Sequence, residues 1–507
     1  MQKVASLKKR YLYKVFSNVA SVATGAVTQA IIPRALGPAQ YGNFNFLTDF
    51  FIQLLGFMNM GTSIGFYTKL SKRPQESKMV LFYLGYIILA TIVVLLGVEI
   101  VGGFGWTQKL WPGQQLTFVL MAVFFAAMTW LLASMNDMID AYGLTVKGEI
   151  AKIIQRVLSL GLIFLLFWEG WIYMKSVFIY QYISMLILIL FFFYVMRKKG
   201  FEVKPVSFSG KEMLSYGNEF YAYSQPLFLF SLVGLIVGIF DRWFLQWCNG
   251  GVEQGFYSLG YKIGGICFIL SASMAQLITR EFSIAHHKQD YQLMAQLFRR
   301  HIPLLYALTA IMCCFVVANA DKAALIMGGK GFKGALLPVA IMALYPMHQT
   351  YGQLSGAVFY ATDQIRLYRN IGMIVMFLGV PVSYILLASP EHLGLAMGAT
   401  GLAIKMVVIN ILAVNVMLYY NARFLKLSFG WYLMHQLVSA IVFLGLAFFI
   451  TIGMDHLFTE RGVLFHFLAA GIGYLLAVAL AVYCCPGLLG LGRQDILRLL
   501  NRKPALS

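Results

Sequence analysis

Runs of about twenty apolar residues, separated by short polar interruptions, recur along the whole chain. Windows of this kind fall at 11–36, 44–66, 79–101, 115–141, 150–168, 174–196, 215–240, 255–279, 301–319, 335–361, 369–388, 393–420, 431–454 and 463–485. A helix needs about 20 mostly apolar residues to cross a bilayer. The pattern therefore predicts an all-α, polytopic membrane protein with about 14 transmembrane helices. An even number of crossings places both termini on one side. The most polar interruption, "RKKGFEVKPVSFSGKE" at 197–212, divides the chain. The expected organisation is an N-terminal six-helix bundle at 1–200, a C-terminal six-helix bundle at 210–425, two additional spans at 430–486 and a cytoplasmic tail at 487–507.

Composition agrees with this reading. Of 507 residues, 60% are hydrophobic and 12% charged, about half the charge that a soluble domain carries. Lys and Arg collect on the cytoplasmic side of short membrane loops. With "KVASLKKRYLYK" placed inside, the inner segments hold 29 of the 39 Lys and Arg residues and the outer segments hold 8. Both termini are thus expected in the cytoplasm. The basic N-terminus resembles a signal peptide, but its apolar run is too long and no small-residue cleavage site follows, so a retained first helix is expected. The net charge of +19 is mostly topological and does not point to nucleic acid, since no basic domain with interleaved aromatics lies outside the spans. Six cysteines show no CxxC or CxxH spacing, so neither a metal nor a cofactor is expected.

An internal repeat crosses the seam. "LGPAQYGNFNFLTDF" (36–50) aligns with "NGGVEQGFYSLGYKI" (249–263) at an offset of 213, pairing Gly37 with Gly250, Gly42 with Gly255 and Asp49 with Lys262. Both segments are read as tight outer turns entering an even-numbered helix, so the halves are expected to be parallel repeats about an axis along the membrane normal.

Polar residues inside the spans are the candidates for function. Asn45, Asp49, Gln53, Gly56, Asn59 and Ser63 share one face of the second helix, and Ser17, Ser21, Thr24 and Thr28 form a stripe on the first. Small and polar residues of this kind commonly serve helix–helix contact in membranes. Asp49 differs, because a charge at mid-bilayer costs about 2.5–3.5 kcal/mol on the insertion scale; it should face protein or water. Lys262 either lines a cavity or reaches the headgroups with its long stem. Lys405 lies deeper in its span and is expected in a cavity. Glu219 opens a polar span that is expected to kink at Pro226, and Pro346 and His348 give the tenth span similar character. Asp137 and Asp140 share a face at an inner helix end and read as members of an interfacial ion pair. "GGKGFKG" (328–334) contains a GxGxxG, but no strand precedes it; it is expected to be a flexible outer loop. The chain has no GxxxxGK[ST] loop and no hydrolytic triad or HExxH spacing. An enzyme is therefore not expected.

Three segments carry a family resemblance. "IIPRALGPAQYGNFNF", "IFDRWFLQWCNGGVEQGFYSLGYKI" and "IMGGKGFKGALLPVAIMAL" resemble, in order and spacing, segments of bacterial polysaccharide and O-antigen flippases of the multidrug/oligosaccharidyl-lipid/polysaccharide exporter superfamily. The resemblance implies a non-enzymatic flippase of the bacterial inner membrane. Such a protein moves an undecaprenyl-pyrophosphate-linked oligosaccharide from the inner to the outer leaflet by alternating access through a cationic cavity. The implied cavity residues are Arg34, Arg242, Lys262 and Lys405; Asp49, Glu219 and Asp241 are this chain's candidate acids for coupling or gating. Asp49 is expected to pair with Lys262 or Arg34 in one state. The implied partners are the lipid-linked oligosaccharide, a proton or sodium ion, membrane lipid, and a polysaccharide polymerase and chain-length regulator of lipopolysaccharide synthesis. Other cargoes within the superfamily are drugs, cations or a lipid-linked peptidoglycan precursor. A membrane-embedded polymerase is the reading from a different class.

Overall fold

The computed structural model describes residues 7–198, 200, 209–225, 228–458 and 461–492. Among these residues every regular element is a helix: α1 (Leu7–Asn59), α2 (Thr62–Lys72), α3 (Ser77–Gly103), α4 (Thr107–Leu110), α5 (Leu116–Ala141), α6 (Thr145–Trp168), α7 (Met174–Arg197), α8 (Gly210–Ser224), α9 (Phe228–Cys267), α10 (Ile269–His287), α11 (Tyr291–Ala318), α12 (Ala320–Gly328), α13 (Leu336–Ala361), α14 (Ile365–Leu387), α15 (Gly398–Phe424), α16 (Phe429–Leu457) and α17 (Val463–Cys484). Ten of them are long and apolar enough to cross a membrane, which makes this a multi-pass membrane protein. The expected kink at Pro226, most of the tail at 487–507, and the side chains of Ser17 and Ser21 lie outside the described residues.

By its contacts the chain divides into two compact units, Met1–Gly255 and Phe256–Ser507. In the first unit, α1 packs on α5, α6 and α7. Phe44 meets Phe178 and Phe125 at centroid separations of 4.8 and 6.1 Å, and Phe66 stacks on Tyr83 at 4.3 Å. In the second unit α13 is central, packed against α10, α11 and α15. Tyr306 and Tyr351, both fully buried, meet there with ring centroids 5.0 Å apart. Pro346 sits inside an unbroken α13; the Thr350 hydroxyl donates to its carbonyl at 3.0 Å.

Two sequence expectations are corrected. The "GPAQYG" turn is a single residue: Gly37 takes φ 70° and ψ 170°, and the helix resumes at Pro38. Glycine adopts positive φ without a Cβ penalty, and proline fits the first helical position, where no N–H is needed. The helix therefore starts well before residue 44, and it ends at Asn59, where Met60 and Gly61 both take positive φ. The "GGKGFKG" segment is not a loose loop. It forms a short 3₁₀ turn with Phe332 fully buried, closed onto Gly328, where a Cβ would stand 2.6 Å from the Phe332 ring.

Candidate functional site

The repeat read from the sequence is present in the backbone. Gly250, 213 residues after Gly37, takes φ 77° and ψ −175°, and α9 resumes directly after it as α1 does after Gly37. The two restarted helices cross at their first turns. A Cβ on Gly42 would stand 1.9 Å from the Gly251 carbonyl oxygen, and one on Gly255 would stand 2.1 Å from the Pro38 carbonyl oxygen. Under the 213-residue offset these two contacts exchange with each other. The crossing is thus a pseudo-two-fold backbone contact that only glycine permits.

From this crossing the polar face of α1 runs antiparallel to the first half of α9. Gln246 Nε2 donates to Asn43 Oδ1 at 3.0 Å and to the Pro112 carbonyl at 3.2 Å, and Gln114 Nε2 donates to the same Asn43 oxygen at 2.8 Å. One turn further along, Arg242 Nη2 donates to Asp49 Oδ2 at 2.7 Å. Then Gln53 covers Gly238, where a Cβ would collide with its Oε1, and Phe57 meets Phe228 at 5.7 Å. Arg242 is 8% exposed and Asp241 6%, whereas the Asp49 side chain is 36% exposed. The pair is therefore wet on its acidic side and dry on its basic side. The planar guanidinium can form paired hydrogen bonds with carboxylate or phosphate oxygens.

The other end of this unit is held by charges. Glu219 of α8 accepts from Arg73 Nη2 at 2.6 Å and from Lys69. Arg73 also meets Glu76 at 3.1 Å, Lys78 meets Glu212 at 2.5 Å, and the Tyr216 hydroxyl donates to Glu76 at 2.5 Å. The hydrogen bond that Arg73 donates to Glu219 raises its guanidinium above its ordinary value, and Lys78 lowers the Glu212 carboxyl below its own. Partly exposed pairs of this kind are individually weak; together they join α2 and α3 to α8.

The remaining sequence candidates are placed as follows. Arg34 is exposed, at the end of the first helical half of α1. Lys262 is part-exposed on α9, between Gly260 and Gly264, whose bare Cα atoms let α13 approach. Lys405 is 4% exposed on α15, its amino end laid over Gly379 of α14, where a Cβ would stand 2.9 Å from Cε and 3.2 Å from Nζ. Of the seven expected site residues, Asp49 and Arg242 are brought together directly. Asp49 thus has a partner other than Lys262 or Arg34. On the stripe of α1, Asn45 donates to the Tyr41 carbonyl at 2.7 Å and Asn59 to Ser63 at 2.9 Å, which are local structural roles. Sequence reading missed Lys69 and Arg73 as partners of Glu219, having counted them only toward topology. The lone acid in an otherwise uncharged stretch of α8 was the available signal.

Comparison with known proteins gives the family and the fold. A family model described as "Polysaccharide biosynthesis protein" matches residues 7–280. The structure of "Lipid II flippase MurJ, inward closed conformation" matches with a TM-score of 0.64 at 12% identity, over 93% of this chain and 98% of that one. A "multidrug resistance MATE family transporter of the MOP superfamily" in an inward-facing conformation matches with a TM-score of 0.55 at 16% identity, over 81% of this chain and 94% of that one. At these identities the likeness establishes the fold. No curated protein matches.

Proposed function

This chain belongs to the polysaccharide biosynthesis protein family, and from that premise we propose that it is a flippase for undecaprenyl-pyrophosphate-linked oligosaccharide. In this reading it carries the lipid-linked unit from the inner to the outer leaflet of the bacterial cytoplasmic membrane by alternating access. It does so as fourteen spans in two six-helix bundles plus two, with both termini cytoplasmic, driven by a proton or sodium gradient and without chemistry of its own. Polymerase and chain-length regulator of lipopolysaccharide O-antigen assembly are the proposed neighbours.

The observation that carries this reading is the Asp49–Arg242 pair below the glycine crossing. A pyrophosphate head entering a low-dielectric slab needs cationic hydrogen-bond donors. Arg242 is such a donor, held in place by a carboxylate that phosphate can displace. Asp49 would then be released and Arg242 re-paired, coupling cargo arrival to separation of α1 from α9. With the crossing assigned to the outer side, the Arg73–Glu219 clasp is the inner one, and the two ends are proposed to open alternately. Lys405 and Lys262 are the cations proposed for the cargo in the second unit, and Arg34 and Arg242 in the first; Asp241 and Glu219 are the further gating acids. The basic character of the buried Arg242 and Lys405 disfavours a cation extruder. Lipid II, the cargo named for the flippase of similar fold, carries the same pyrophosphate and is the second reading.

The test is reconstitution into vesicles with labelled lipid-linked oligosaccharide, scoring leaflet transfer with and without proton or sodium gradients. Arg34→Glu and Lys405→Glu are expected to insert normally and to lose transfer; wild-type transfer by both would refute the cation assignment. Gly379→Ala addresses Lys405 without touching its charge. The new methyl displaces the flexible amino end at little cost to stability, so transfer should fall several-fold while the melting temperature moves by less than the equivalent of about 1 kcal/mol.

A further inference from the structure

The second unit holds a charged cavity that none of the seven expected site residues lines. It encloses about 510 Å³ beside α12 and the facing ends of α16 and α17. Its polar lining is Asp321, Lys322, Lys333, Asp455, Arg461 and His466. Asp455 has both oxygens engaged: Oδ2 accepts from Lys322 Nζ at 2.8 Å and Oδ1 from His466 Nδ1 at 3.0 Å. Lys322 and His466 are 8% and 7% exposed, so this triad forms a fixed wall. Lys333 and Arg461 are exposed, and among the described residues neither is paired with a carboxylate. Arg461 lies over the Phe465 ring at 5.7 Å. Asp321 is the other acid in the lining, so two cations face one carboxylate once the Lys322–Asp455 pair is set aside.

Position narrows the ligand. Three helices that qualify as spans, α11, α16 and α17, end or begin here, at Ala318, Leu457 and Val463. Span ends lie at the headgroup layer. Below the cavity, α17 exposes Leu464, Leu468, Ile472 and Leu475, an apolar flank on which acyl chains can lie.

We propose that this cavity binds the phosphate of an anionic membrane phospholipid, with Lys333 and Arg461 as its donors and the Lys322–Asp455–His466 triad as the wall that keeps the site open. Arg461 offers the bidentate fork that phosphate accepts, its ring contact limiting the conformations it must give up on binding. None of the seven residues proposed for transport lines this cavity, and binding is read without transport. Its failure therefore leaves the proposed function standing, and failure of that function leaves this site untouched.

The experiment is native mass spectrometry of the full chain in detergent, titrated with phosphatidylglycerol or with phosphatidylcholine of the same acyl chains. Wild type should retain phosphatidylglycerol in preference, and K333Q/R461Q should lose that preference by about tenfold or more, as expected for removing charge-assisted hydrogen bonds. Both replaced side chains are exposed, so the variant should fold. A reading that needs no variant is the wild-type melting temperature, which should rise with phosphatidylglycerol and not with phosphatidylcholine. Equal retention of the two lipids, or an unchanged preference in the double variant, overturns the proposal. Displacement by millimolar inorganic phosphate would make this a free-phosphate site, and tighter capture of undecaprenyl phosphate would make it part of the cargo route. Either result also overturns the assignment.

Discussion

Gly42→Ala should disable the protein while Gly56→Ala, on the same helix, leaves it unchanged. The methyl added at position 42 would stand 1.9 Å from the Gly251 carbonyl oxygen and 2.5 Å from the Gly255 amide nitrogen. These are backbone atoms of the crossing helix, so no side chain can rotate away. The helices must part by about 1.5 Å to reach ordinary contact, and overpacking of this kind typically costs 1–3 kcal/mol, occasionally more. Separation would also stretch the Gln246–Asn43 hydrogen bond one turn away. At Gly56 nothing lies within 4 Å of the added methyl. Leaflet transfer by Gly42→Ala is expected to fall at least about tenfold, with a lowered melting temperature. Wild-type transfer and melting would show that the crossing is not held as described.

The second large effect is expected at the ion pair. Arg242→Asp sets two carboxylates against each other, and Asp49→Arg sets two guanidinium groups together. Losing one partner of a buried pair costs about 3–5 kcal/mol. Because the Asp49 side chain is 36% exposed, water relieves part of this, and about 2 kcal/mol is the better figure, roughly 30-fold in an equilibrium constant. The exchanged double variant, Asp49→Arg with Arg242→Asp, restores the attraction and should recover the melting temperature. It should not recover transfer, because the cation proposed to bind phosphate then sits on the wrong helix at the more exposed position. Recovery of both would reduce the pair to a structural clamp; recovery of neither would mean that the pair does not hold α1 to α9.

Several features of this arrangement are legible along the chain. Hydrophobic windows mark the helices, because each crossing must satisfy its own backbone in lipid and so must be long, apolar and helical. The offset of 213 locates both glycine breaks, since positive φ at the first turn of a helix selects the same residue twice. The stripe through Asn45, Asp49 and Gln53 identifies the face of α1 that meets another element. What it meets is not legible. Asp49 and Arg242 are 193 residues apart, and the repeat aligns Asp49 with Lys262, its counterpart under the offset. Its contact comes instead from the antiparallel helix that precedes that counterpart. The same holds for Glu219, whose partners Lys69 and Arg73 look in sequence like ordinary topological charges.

The chain by itself determined that this protein lies in a membrane, that it is built of long apolar helices, and the two glycines at which α1 and α9 break. These follow from local physics: apolar length, glycine and proline conformations, and the cost of desolvating charge. Only the tertiary structure decided which charge answers which, that Lys405 is laid over Gly379, and that Lys322, Asp455 and His466 form one wall. Those outcomes depend on how closely helices far apart in sequence can approach, and that distance is set by the bare Cα atoms at their crossings.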